Sequence, residues 1–159
     1  MLTRNFMSAL GNNNGLNLDN CPTAKTTKGD TNSIRVEFGS GSVYSFLQSD
    51  KWIKAKFVLG TGITKPNIED YHIETEITKS YDCSSPLLRK YIPGNKKDNL
   101  NISGIITNTD TTDIEFTEVG LYCYIDINGG SYIMLAREVY DTPITIAPGE
   151  SVAVNVNII

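Results

Sequence analysis

An all-β fold is the architecture this sequence predicts: an antiparallel β-sandwich of jelly-roll-like form, preceded by a short N-terminal helix or arm. Three observations predict it. Apolar and polar residues alternate with a period of two in segment after segment. Clusters of Gly, Pro and Asn separate those segments at short intervals. After residue 10 no helical periodicity is long enough to build a βαβ unit.

The 159 residues suit one domain that can bury a core. It divides into an N-terminal helix, arm and loop over 1–33 and a β-sandwich over 34–159. In the first part, Leu2, Phe6 and Leu10 fall at i, i+4 and i+8, on one face of a short helix that ends at Gly11-Asn12-Asn13-Asn14-Gly15. Residues 17–33 are polar, contain Pro22 and Gly29, and read as an arm that orders against a neighbouring subunit. Ile34–Phe38 and Val43–Phe46 flank Gly39-Ser40-Gly41-Ser42, the pattern of a hairpin. Phe57-Val58-Leu59 is a strand that runs into Gly60-Thr61-Gly62. In Tyr71–Ile77 the alternation puts Tyr71, Ile73 and Ile77 on one face and His72, Glu74 and Glu76 on the other, again as a strand.

The C-terminal half repeats the signal. Leu100–Ile106 is a strand and Asn108–Thr112 a turn. Ile114–Ile125 is a long strand whose apolar phase slips by one residue near Thr117-Glu118, as at a β-bulge. Asn128-Gly129 closes it onto a strand over Ser131–Tyr140. Pro143 and Pro148-Gly149 punctuate the stretch beyond Tyr140, and Val152, Val154, Val156 and Ile158 alternate in a last strand zipped into the sheet.

Composition narrows the function. The chain is 40% hydrophobic and 20% charged, with a net charge of −4, so it lacks the basic face that a phosphate backbone requires, and nucleic acid is not an expected partner. The basic cluster of Arg89, Lys90, Lys96 and Lys97 reads as a solvated loop. No stretch approaches the ~20 apolar residues that span a bilayer, so no membrane is expected. The first residues lack a signal-peptide pattern, which places synthesis and folding in cytoplasm. Cys21, Cys83 and Cys123 are widely spaced, form no CxxC pair, and have a single histidine, His72, for company. No metal site and no cofactor are expected, and Cys123 reads as a core residue.

A search for catalytic groups ends on structural readings. His72 lies on the polar face of its segment with no nucleophile elbow elsewhere. Glu74 and Glu76 lie roughly 7 Å apart on one strand face, a spacing compatible with a retaining glycosidase and equally with any two exposed acids. Asp126-Ile127-Asn128-Gly129-Gly130 lacks the remaining ligands of a calcium loop and reads as a turn. No catalytic residue is assigned. An Arg137–carboxylate bridge across the hairpin, with Glu118 or Glu138, reads as structural. Four of the eight tyrosines, Tyr122, Tyr124, Tyr132 and Tyr140, crowd onto one hairpin. With Phe6 they are the candidate interface residues: protein-contact anchors or a sugar-stacking platform if exposed, ordinary packing if a second packed sheet covers them.

Several short motifs occur in a fixed order. They are Phe57-Val58-Leu59-Gly60-Thr61-Gly62 with Pro66 and Asp70-Tyr71, then Thr107-Asn108, then Glu118-Val119-Gly120-Leu121-Tyr122. Leu135-Ala136-Arg137-Glu138-Val139 and Thr142-Pro143-Ile144-Thr145-Ile146-Ala147-Pro148-Gly149-Glu150 complete the set. Over residues 57–159 this order resembles small structural proteins encoded among the morphogenesis genes of tailed bacteriophages, and the EVGLY element resembles phage tail-collar fibre proteins. The resemblance implies a non-enzymatic virion component at the head surface, neck or tail. Such a component is made in the bacterial cytoplasm and assembles with copies of itself and other virion proteins. The alternative expectation is a carbohydrate-binding module that attaches to a host glycan.

Overall fold

The computed structural model describes residues 1, 3, 4, 23–33, 55–84, 87–89, 100–125 and 131–158. The expected hairpin over 34–46, the Asn128-Gly129 turn, most of the expected 2–10 helix, and Phe6 lie outside them. The described residues are all-β, in antiparallel strands: β1 Thr23–Lys25, β2 Thr31–Ser33, β3 Ala55–Gly60, β4 Tyr81–Cys83, β5 Leu87–Arg89, β6 Leu100–Asn108, β7 Ile114–Ile125, β8 Ser131–Ile146 and β9 Ser151–Ile158.

Two sheets carry the fold. In one, β7 lies between β3 and β8. In the other, β9 pairs with β6 over eight register positions, from Leu100↔Ile158 to Thr107↔Ser151. That leaves the opposite edge of β6 for β4 and β5, which pair with its two ends. Period-two alternation turns one face of each sheet inward. Phe57 and Leu59 of β3, Phe116, Val119, Leu121 and Cys123 of β7, and Ile133 and Leu135 of β8 join Ile102 and Ile106 of β6 and Val154 and Val156 of β9 in one buried cluster. At roughly 1.5–3 kcal/mol for each such side chain fully removed from water, this cluster is the main source of stability.

The described part of 1–33 lies against this chain's own β8. Met1 and Arg137 exchange backbone hydrogen bonds, and Thr3 N–H donates to the Leu135 carbonyl at 3.0 Å. Farther along the same strand Thr26 bridges Ile133. Ala24, 2% exposed, belongs to the main core cluster.

Three expectations about elements need correction. The alternation over Tyr71–Ile77 does not make a strand: only an isolated bridge, Gly60↔Glu76, forms there. Two of its amides are drawn to side chains, Ile73 N–H to the Tyr122 hydroxyl and Glu74 N–H to the Glu118 carboxylate, while Ile77 N–H donates to β3, at the Leu59 carbonyl. The phase slip at Thr117-Glu118 is a real register shift, but the surplus lies on β8, where Tyr140–Pro143 stand opposite Thr117 alone. For that reason Pro143 does not end β8. It sits in the unpaired excursion, where a missing N–H costs no ladder bond, and pairing resumes at Ile144↔Phe116. A second shift, between Leu121 and Tyr122, leaves Leu135 as the extra residue.

Candidate functional site

The segment 61–76 crosses the outer face of the β3–β7–β8 sheet as a strap. On that face β7 presents Glu118, Gly120 and Tyr122, the alternate positions to its core residues. Ile73 of the strap packs with Val58, Tyr122 and Met134 in a second, smaller buried cluster. Beside that cluster lies a knot of charge. Arg137, 2% exposed, donates from Nε to Glu118 Oε1 at 2.6 Å and from Nη1 to Asp70 Oδ2 at 2.8 Å. Its Nη2 lies 3.7 Å from Glu74 Oε2, an ion-pair distance, and is a buried atom without a hydrogen-bond partner.

The carboxylates in turn hold the strap. Glu118 is fully buried and accepts from Gly62 N–H at 3.0 Å and from Glu74 N–H at 3.0 and 3.1 Å, besides Arg137. Glu74 Oε2 accepts from Ile63 N–H at 2.9 Å and Thr64 N–H at 3.3 Å. Asp70 Oδ2 accepts from Asn67 N–H at 2.8 Å, and the Thr117 hydroxyl donates to the Gly62 carbonyl at 2.9 Å. Burial alone pushes the Arg137 guanidinium down, but hydrogen bonds and charge from Asp70 and Glu118 outweigh it and raise the group further. Hydrogen bonds from Thr64, then from Ile63, with the Arg137 charge, hold the Glu74 carboxyl below its ordinary value against a small burial penalty.

Gly60 and Gly62 are explained by this geometry. A Cβ on Gly60 would lie 2.7 Å from Glu118 Oε2 and 2.8 Å from the Thr75 carbonyl, and one on Gly62 would collide with the carboxylates of both Glu118 and Glu74. The Gly-Thr-Gly motif is thus the shape of a backbone that closes on a buried acid.

A second hub forms at the end of β6. Asn108, fully buried, donates from Nδ2 to the carbonyls of Thr112 and Ile146 at 2.9 and 2.8 Å, and its Oδ1 accepts from Asp110 N–H. Its backbone N–H donates to the Glu150 carbonyl and its carbonyl accepts from Gly149 N–H. Gly149 has φ of 79°, the left-handed conformation that ends the Pro148-Gly149 turn. The motif pieces scattered over residues 60–150 therefore meet at two hubs. Gly60, Gly62, Asp70, Glu118 and Arg137 form one; Asn108, Gly149 and Glu150 form the other.

The tyrosines separate into three environments. Tyr122 is 5% exposed, its hydroxyl accepts from Ile73 N–H at 2.9 Å, and burial pushes its ionisation up to about 12. What covers Tyr122 is the irregular strap, not the second packed sheet considered for this face. Tyr140 packs edge-on against Phe116, on the main-core side. Tyr124 and Tyr132 are half-buried and meet edge to face at 5.3 Å, with Lys56 Nζ 4.5 Å from the Tyr132 ring centroid. The candidate interface residues that form a partly open cluster are these two. The sequence reading missed Lys56 and Asp70, and also the Lys25 ammonium that sits 3.7 Å over the Tyr71 ring.

His72 stacks edge-on against Tyr71, and its Nδ1 lies against the Ile73 carbonyl. Glu74 and Glu76 are both exposed, Glu74 with its carboxylate bonded to strap amides. Cys83 and Cys123 are free thiols, and burial pushes Cys123 up to about 12. Among the described residues no group of three or more His, Cys, Asp and Glu side chains is placed to hold a metal ion, and no helix is long and apolar enough to cross a membrane. No family model, curated protein or solved structure matches the chain.

Proposed function

We propose that this chain is a non-enzymatic structural component of a tailed-phage virion. In this reading it is a jelly-roll-like β-sandwich that works by assembling with copies of itself and with other virion proteins. The observation that carries the reading is the convergence of the ordered motifs, which resemble those of phage morphogenesis proteins, on the two buried hubs. Of the five charged residues in those motifs Glu138 is partly exposed and Glu150 exposed, but Glu118, Asp70 and Arg137 direct their hydrogen bonds to one another and to strap amides. A general acid or nucleophile must reach a substrate. These groups face inward, so the motifs are better understood as devices that hold a scaffold whose outer surfaces do the work.

The same placement weighs against the glycan reading. A sugar platform needs an open aromatic face, but Tyr122 is buried and Lys56 lies over the ring of Tyr132. The assembly reading is tested by the mass of the full-length chain in solution, measured by size-exclusion chromatography with light scattering. A defined multiple of the chain mass is expected; a monomer at every loading concentration contradicts self-assembly.

A further inference from the structure

The β6–β9 pair has two unlike faces. Ile102, Ile106, Val154 and Val156 point into the core, and the intervening residues point out. The outward residues form three register pairs, Ser103↔Asn155, Ile105↔Ala153 and Thr107↔Ser151. None of the six is charged, on a chain whose net charge is −4. Ile105 is 53% exposed, and of the four exposed large hydrophobics among the described residues it alone lies in a strand; Met1, Ile63 and Ile68 do not. It occupies the middle of the sheet, with β9 on one side of β6 and β4 and β5 on the other. Two of the polar contacts around it are already made: the Thr107 and Ser151 hydroxyls bond each other at 2.8 Å, and Ile105 N–H donates to Ser84 Oγ at 2.8 Å. Covering those groups therefore costs little in lost hydration, whereas Ser103 and Asn155 would need partners from the facing copy. Charge returns at the rim, at Asp82, the register partner of Thr107 on β4, and at Arg89, the register partner of Asn101 on β5.

We infer that the outer face of β6 and β9 is a contact surface for a second copy of this chain, an inference that rests on the assembly reading above. The choice of occupant is set by charge. A two-fold contact sets a patch against its own copy, so any patch with net charge repels itself. On an acidic chain, a charge-free sheet centred on an exposed isoleucine is suited to meeting itself. Size sets the strength. Eight residues at about 3.4 Å and the two charge-free rows, β6 and β9, at about 4.8 Å each give a footprint of roughly 27 by 10 Å, about 260 Å² in projection. A standard interface buries about 800 Å² per partner, so the contact is a modest, concentration-dependent one.

Sedimentation equilibrium of the full-length chain over a concentration series, for the wild type and for Ile105→Lys, tests this. Ala153→Glu, at an exposed position, serves as the second variant should Ile105→Lys fail to fold. The weight-average mass of the wild type should rise with concentration to at least twice that of the monomer. A like-charge contact costs several kcal/mol, so either variant should weaken the association by at least about tenfold. Association undiminished in a folded variant overturns this face and leaves the assembly reading standing. A wild-type chain that is monomeric throughout overturns this face together with the homo-oligomeric part of that reading.

Discussion

Glu118 and Arg137 sit two rungs apart on neighbouring strands, since Arg137 stands opposite Gly120 in the register. That pairing was legible in the sequence, because alternation places both on one face of a predicted hairpin. Asp70 was not, because its position depends on the path of a strap that has no periodicity of its own. Nor was the burial of Tyr122, which needs Ile73 to arrive from 49 residues away. At this scale Glu74 makes a pH prediction. Its folded-state carboxyl lies below the ordinary 4.5, so its contribution to stability is fully present above that value. The contribution is lost as pH falls through the lowered folded value. Glu74→Gln should therefore melt below the wild type at neutral pH, and the gap should close as pH falls through and below 4.5. Melting curves above and below that value check it; a gap that stays constant or widens with acid contradicts the assignment.

Among the elements, the strap is the part that sequence periodicity misjudged. Tyr71–Ile77 alternates as a strand would, and the burial matches the alternation, with Ile73 buried and His72, Glu74 and Glu76 exposed. Periodicity records which side chains face inward but not where the backbone amides go, and here buried side chains take two of them. The β8 strand shows the converse. Pro143 reads as a strand end, yet an excursion of β8 lets the strand pass it and resume. The β6, β7 and β9 strands lay close to their expected limits because both their alternation and their turns were strong. The strap's dependence on close approach gives the second prediction. Gly62→Ala should cost about 1–3 kcal/mol, the usual range for overpacking a tight site. Urea unfolding measures it, and a cost below about 0.5 kcal/mol would show that the strap has slack at Gly62.

For the molecule as a whole, the sequence indicated the all-β class and the inward alternation of both sheets, because those rest on local pattern. It did not indicate that distant motifs would meet at two hubs, because that is a property of topology. A buried guanidinium with three carboxylates around it is a costly way to stabilise a fold compared with apolar packing, although removing one member of such a cluster is costlier still, at about 3–5 kcal/mol. The knot is better explained by geometry: it fixes the strap to the sheet and so fixes the outer shape that a neighbouring subunit would meet. On this account the chain belongs in a particle. The measurement that tests this most directly is immunogold electron microscopy of phage particles, purified from the bacterium that carries the gene, with antibodies raised against the full-length chain. Gold at a fixed position on the particles is the predicted result. Unlabelled particles, with the chain confined to the soluble fraction of the lysate, would contradict it.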